Sequence, residues 1–186
     1  MIVRAIAWFL DTLKRVFWVH RQDRYHAVQI LMHWLIVVLV IEQYWTSRAV
    51  LRMNSGARLL GKEEPFDMVL HDTHLRIGLA MLALIILRLA LRLWLGAPQW
   101  NPAIPAWRQN LALTVQFGLY GVLLGQAVSG AITSYLWWPM HLVHRGFFYL
   151  LLGFVALHLA GAAWSLLSAP LSTVRRITGW RLGKAQ

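Results

Sequence analysis

Four apolar runs, at about Val28–Trp45, Leu75–Leu95, Leu111–Leu136 and Phe147–Leu167, constrain this chain more than any other feature. A helix needs roughly 20 apolar residues to cross a hydrocarbon core, and inside that core every backbone polar group must be satisfied internally. The runs therefore predict an all-α membrane protein built as a bundle of four transmembrane helices. Composition agrees: 59% of the 186 residues are hydrophobic, 11 are Trp and mean hydropathy is +0.53. That is more apolar surface than a soluble domain of this size buries. The connecting segments hold the breakers and charges, with Asn54, Ser55, Gly56, Lys62, Glu63, Glu64 and Pro65 in the first, Pro98, Pro102 and Pro105 in the second, and Pro139 in the third. No segment has room for a soluble domain and no internal repeat is visible, so one membrane domain is expected.

Lys and Arg outnumber Asp and Glu 18 to 7. Such an excess suits nucleic acid or an anionic membrane surface, and the hydropathy decides for membrane lipid, with no nucleic-acid partner. Twelve of the eighteen basic residues fall in the amino-terminal flank (Arg4, Lys14, Arg15, Arg21, Arg24), the second connection (Arg88, Arg92, Arg108) and the carboxy tail (Arg175, Arg176, Arg181, Lys184). By the positive-inside rule both termini are expected in the cytoplasm. Residues 1–22 begin without a signal peptide's long uncharged core. They place Ile2, Ile6, Phe9, Leu10, Leu13, Val16 and Phe17 at helical spacing opposite Arg4, Asp11, Lys14 and Arg15, which predicts an amphipathic interfacial helix. Residues 23–176 then form the bundle and 177–186 a cytoplasmic tail.

Ionisable side chains inside a membrane are costly and mark function by default. His33 lies in the first run and His158 in the fourth, while His74 (in HDTHLRIG) and His144 (in HLVHRG) stand at the edges of the second and fourth. His144 and His158 are 14 residues apart. On one helix that separates them by roughly 21 Å and leaves them within about 40° of the same face. With four antiparallel helices, His74 and His144 share one depth near the outer surface, and His33 and His158 share another near the inner one. The chain has no Cys, which excludes disulfides, thiolate-bound zinc, iron–sulfur clusters and covalent haem attachment. Two bis-imidazole pairs stacked across a membrane suit six-coordinate iron in haem b, and hence electron transfer. The expected cofactors are two haems b (iron protoporphyrin IX). Gly78, four residues after His74, shares its helix face and would leave room for a flat macrocycle; Gly130 and Gly153 could serve the same end or plain helix packing.

The segments RYHAVQILMHWL, HLRIGLAMLALIILRLALRL and HRGFFYLLLGFVALH resemble the bacterial cytochrome b561 proteins, relatives of the cytochrome b subunit of nickel–iron hydrogenases. The resemblance covers about Tyr25 to Arg176. It implies a four-helix, two-haem quinone reductase of the bacterial inner membrane, with His33, His74, His144 and His158 as ligands and quinone, ubiquinone in particular, as acceptor. An alternative within the same resemblance is a haem-bearing anchor subunit that passes electrons between a partner dehydrogenase or hydrogenase and the quinone pool; a homodimer is a further assembly it allows. Gln116 departs from members that carry His there, four residues before a Tyr matched here by Tyr120, so a ligand from the third helix is not expected.

Haem propionates call for charge-assisted hydrogen bonds. Arg76 and Arg145 stand beside the outer ligands, and Arg88 and Arg92 are candidates for the inner haem, although both also satisfy the positive-inside rule without a cofactor. His71 and His141 each precede a preferred outer ligand by three residues and are its rivals. His20 and His26 read as interfacial, as do Trp94, Trp137, Trp138 and Trp164. A small anion such as superoxide, drawn to Arg76 and Arg145, or a protein docking on the first connection is the expected periplasmic electron donor.

Overall fold

The structure, a computed structural model, describes residues 20–22, 25–53, 61, 64–98 and 104–168. In chain order the elements are β1 (His20–Gln22), α1 (Ala27–Arg52), α2 (Pro65–Leu95), β2 (Ala97–Pro98), α3 (Ala106–Tyr135), a 3-10 turn (Trp138–Met140) and α4 (His141–Ser168). Four helices are long and apolar enough to cross a membrane. Each packs on its sequence neighbour, α1 on α2, α2 on α3 and α3 on α4, as short connections require. The proximal end of the bundle holds Ala27, Leu95, Ala106 and Ser168. The distal end holds Arg52, Pro65, Tyr135 and His141.

The helices begin and end where local chemistry dictates. The α1 start is capped by its own third residue, since Gln29 Oε1 accepts from the His26 backbone N–H at 3.1 Å. Pro65 opens α2, where its missing N–H costs nothing. Asp67 in that first turn accepts two bonds from Arg52, at 2.6 Å and 2.5 Å, which clasp the distal ends of α1 and α2. Gly96 ends α2 with φ 75°, a conformation that favours glycine. Its carbonyl accepts from Gln29 Nε2 at 3.0 Å and Arg92 Nη1 at 3.2 Å, which fastens the end of α2 to the start of α1.

The second and fourth helices are longer than the apolar runs suggest. Helix α2 starts at Pro65 rather than near Leu75, and α4 starts at His141 rather than near Phe147. Polar residues such as Asp72 and Thr73 interrupt hydropathy without breaking a helix, so His71, His74, Arg76, His144 and Arg145 are all helical. Residues 20–22, the last three of the expected interfacial helix, are instead extended, with His20 paired to Ala97 and Gln22 to Pro98 in parallel. Backbone pairing with β2 displaces the helical alternative there. Residues 1–19 and 169–186, with the rest of that segment and the expected tail, lie outside the described residues.

The core is small because lipid is the solvent. Ile36, Met81 and Ile85 are buried at mid-bundle against Leu39, Val40, Ile77, Tyr120, Leu123 and Leu124. Leu31, Val38, Ile41, Leu79 and Ile86 turn outward. Two glycines set the α3–α4 contact: a Cβ on Gly118 would overlap the Phe154 ring, and one on Gly125 would overlap Phe147. Phe147 and Phe154 of α4 thus fill notches in α3, the close approach that small residues give membrane helices. Substituting Gly118→Val or Gly125→Val should lower stability by about 1–3 kcal/mol through overpacking. Gly121→Val, where nothing lies within 4 Å, should not. Thermal unfolding of the purified variants in detergent checks the contrast.

Candidate metal and cofactor site

The bundle brings the four expected ligands together as two pairs. At the proximal level the His33 ring of α1 and the His158 ring of α4 have centroids 6.2 Å apart, with planes 67° to one another. Two metal–imidazole bonds of about 2.0 Å, plus about 1.1 Å from each bonded nitrogen to its ring centre, put axial imidazole centroids about 6.2 Å apart across a metal. Arg88 lies within electrostatic reach of both rings. Its guanidinium donates to the Gln29 carbonyl at 2.9 Å and lies 3.5 Å from His33 Nδ1. The shorter bond to Gln29 fixes it.

Arg92 behaves differently from Arg88. It is buried, lies over the Tyr25 ring at 5.6 Å and donates to Gly96. Sequence spacing treats the two arginines alike, whereas the structure puts Arg88 beside the histidines and Arg92 at the cap of α2.

At the distal level His74 and His144 lie within electrostatic reach of one another, and His71 within reach of His74. Thr46 of α1 lies 3.0 Å from His74 Nδ1. Thr46 Oγ1 lies equally close, at 3.0 Å, to the Glu42 carbonyl, so its one proton serves either that carbonyl or the ring. His144 Nδ1 lies 2.9 Å from the Gln126 backbone carbonyl of α3. A carbonyl only accepts, so Nδ1 carries the hydrogen here. In the His144 ring Nε2 is left with the lone pair, the tautomer of a metal-bound imidazole. Gln126 Nε2 lies 3.2 Å from His144 Nε2 and donates to it, while Gln126 Oε1 is buried without a hydrogen-bond partner.

Glycine contributes to this geometry differently from expectation. A Cβ on Gly130 would come within 2.9 Å of His144 Cε1. Its absence lets the ring reach the Gln126 carbonyl. Gly78 receives a side chain of α1, since a Cβ there would lie 3.3 Å from Gln43 Oε1. Gly153 is exposed, and nothing lies within 4 Å of where its Cβ would be. It lies nine residues from His144 and so on the opposite face of α4.

The remaining candidates are at the distal surface. His141 stacks on Trp138, with ring centres 4.9 Å apart, and its Nδ1 lies 3.0 Å from the Trp138 carbonyl. Arg76 pairs with Asp72 at 2.8 Å, and both side chains are exposed. Arg145 is exposed as well.

Sequence reading missed Gln29, Glu42, Gln43, Thr46, Gln126 and Ser129. All are polar residues inside or at the edge of apolar runs, and that anomaly was the available signal. Among the described residues no three His, Asp or Glu side chains gather as a metal cluster. A site closed by protein ligands alone, as structural zinc needs, is not assembled among them. The donor set fits a group that brings its own equatorial ligands and asks the protein for two imidazoles. A model of the prokaryotic cytochrome b561 family matches residues 24–180.

The chain belongs to the prokaryotic cytochrome b561 family. It is accordingly a haem b membrane electron-transfer protein of bacterial, multi-pass type. No curated protein and no solved structure gives a significant match. In this cytochrome the Gly130 notch should matter to haem content: Gly130→Val is expected to push the His144 ring off Gln126 and lower the haem-to-protein ratio. Gly153→Val should leave the ratio at the wild-type value. Absorbance of the Soret band against protein concentration reads the difference.

Proposed function

We propose that this cytochrome carries electrons across the membrane through two b haems, one held by His33 and His158 and the other by His74 and His144. The observation that carries the reading is the 6.2 Å separation of the His33 and His158 rings, the spacing of two axial imidazoles. Haem b, when bound, would supply an iron that changes oxidation state by one electron, with these four histidines as the residues that would hold it. The chain's own residues do the rest. Thr46 positions the His74 ring, and the Gln126 carbonyl holds His144 in the tautomer that bares Nε2 of hydrogen. Arg88, fixed by Gln29 beside the proximal pair, offers its charge to a propionate there. The stacking of His141 on Trp138 favours His144 over its rival.

The basic flanks support a cytoplasmic proximal end in the bacterial inner membrane, with electrons entering at the periplasmic distal end and leaving to ubiquinone near the proximal pair. A donor at the distal face meets exposed Arg145, and Arg76 whose charge is shared with Asp72. That surface suits a small anion such as superoxide.

Pyridine haemochrome assay with protein quantitation should give two haems b per chain. His33→Ala or His158→Ala should remove one haem and His74→Ala or His144→Ala the other. A ratio near one would leave a single pair correct, and a ratio near zero would end the proposal.

Order of reduction gives a separate test. In proteoliposomes of known orientation, a membrane-impermeant donor on the distal side should reduce the proximal haem only when the distal site is intact. His74→Ala should therefore block that reduction while the proximal haem still binds. Normal-rate reduction in that variant would rule out a serial path.

A further inference from the structure

Glu42 is a carboxylic acid within a membrane-spanning helix, and electron transfer as described above gives it no task. It lies ten residues before the distal end of α1. Its Oε2 accepts from Gln43 Nε2 at 2.9 Å, while its Oε1 is buried and has no hydrogen-bond partner. A carboxyl with one oxygen buried and unpartnered inside a membrane span is costly to keep there without a task.

Its neighbours lead to the distal histidine. Gln43 Nε2, which holds Glu42, also donates to the His74 backbone carbonyl at 3.2 Å. No more than the sum of those two bond lengths separates the Glu42 carboxyl from that carbonyl oxygen. Thr46 adds a second link, since its hydroxyl lies against both the Glu42 carbonyl and the His74 ring. Glycine at position 78 makes the arrangement possible by admitting Gln43 against α2.

We propose that Glu42 takes up a proton when the distal centre gains an electron and releases it when the electron leaves. The proposal rests on a haem at His74 and His144. The balance is simple: one electron from a one-electron donor removes one positive charge from the centre, and one proton from the distal aqueous phase converts the Glu42 carboxylate to the acid. The proton taken up at Glu42 thus compensates the charge of the electron gained at the centre.

Other titratable or charged groups of this end are His71, His74, Asp67, Asp72 and Arg76 on α2, Arg48 and Arg52 on α1, and His141, His144 and Arg145 on α4; α3 contributes the neutral Gln126 and Ser129. Arg52 pairs with Asp67 and Arg76 with Asp72. His71 is the rival proton acceptor because it lies within reach of His74.

Potentiometric titration of the haem-loaded protein at several pH values tests the assignment. In wild type the distal midpoint potential should fall as pH rises, since proton uptake accompanies reduction. Glu42→Gln mimics the protonated acid and should hold that potential at its low-pH value with the slope lost; His71→Ala should keep the slope. A slope that survives Glu42→Gln, or disappears in His71→Ala alone, overturns the proposal. Haem content measured on the same samples separates the two levels of inference. A missing distal haem in wild type sinks the haem assignment and this proposal together, whereas a distal haem indifferent to Glu42 sinks only this proposal. Should Glu42→Gln fail to fold, reduced-minus-oxidised infrared spectra of wild type give the same answer. Reduction should convert carboxylate bands to a carboxylic-acid band, and their invariance would overturn the assignment.

Discussion

Every polar group placed inside a bilayer must find its partner within the protein, and the architecture of this cytochrome follows from that demand. A histidine in hydrocarbon brings two ring nitrogens that need partners. At the distal level Thr46 from α1 lies against His74 Nδ1, while Gln126 from α3 meets both ring nitrogens of His144, its carbonyl accepting from Nδ1 and its amide donating to Nε2. The same bonds that make the histidines tolerable in the membrane set the orientation of each ring. They also fix helix rotation, since Thr46 must face α2 and Gln126 must face α4 for either bond to form.

The proximal end obeys the demand with a different chemistry. Gln29 caps its own helix through Oε1 and reaches the Gly96 carbonyl through Nε2, while Arg88 closes on the Gln29 carbonyl. One residue, through its side chain and its backbone carbonyl, thus ties together the start of α1, the end of α2 and the arginine beside the His33–His158 pair. Arg92 joins the network through Gly96. Arginines that hydropathy assigns simply to the cytoplasmic surface are instead fastened to particular carbonyls, and the charge near the proximal pair has a fixed place.

Much of this fold is legible in the sequence because the membrane imposes one length scale and one secondary structure. The apolar runs give four helices, and the 14-residue interval between His144 and His158 gives two levels. Hydropathy is blind to where a helix ends outside the hydrocarbon, so α2 gains Pro65 through His74, which look like loop by composition. Glycine is ambiguous for a related reason. Gly78, Gly130 and Gly153 look equivalent in the sequence, yet one admits Gln43, one admits the His144 ring and one faces away from the bundle. Which side chain fills a glycine notch depends on the neighbouring helix, and no single segment encodes that. The partners of the histidines were hidden in the same way. Thr46, Gln126 and Glu42 are single polar residues in apolar runs, visible as anomalies but without an address until α1, α2, α3 and α4 are placed.

Helix α4 shows how the cofactor and the fold depend on each other. It carries two of the four histidines, and Leu151 is its one buried residue among those described. It is held to α3 by Phe147 and Phe154 in their glycine notches. Toward α1 it reaches through rings: His158 meets His33, and Phe148 stacks on Tyr44 with centroids 6.3 Å apart and planes 15° from parallel. Ligand bound only to the folded bundle adds its binding free energy to stability. Any group bound between His33 and His158 would therefore brace α1 against α4.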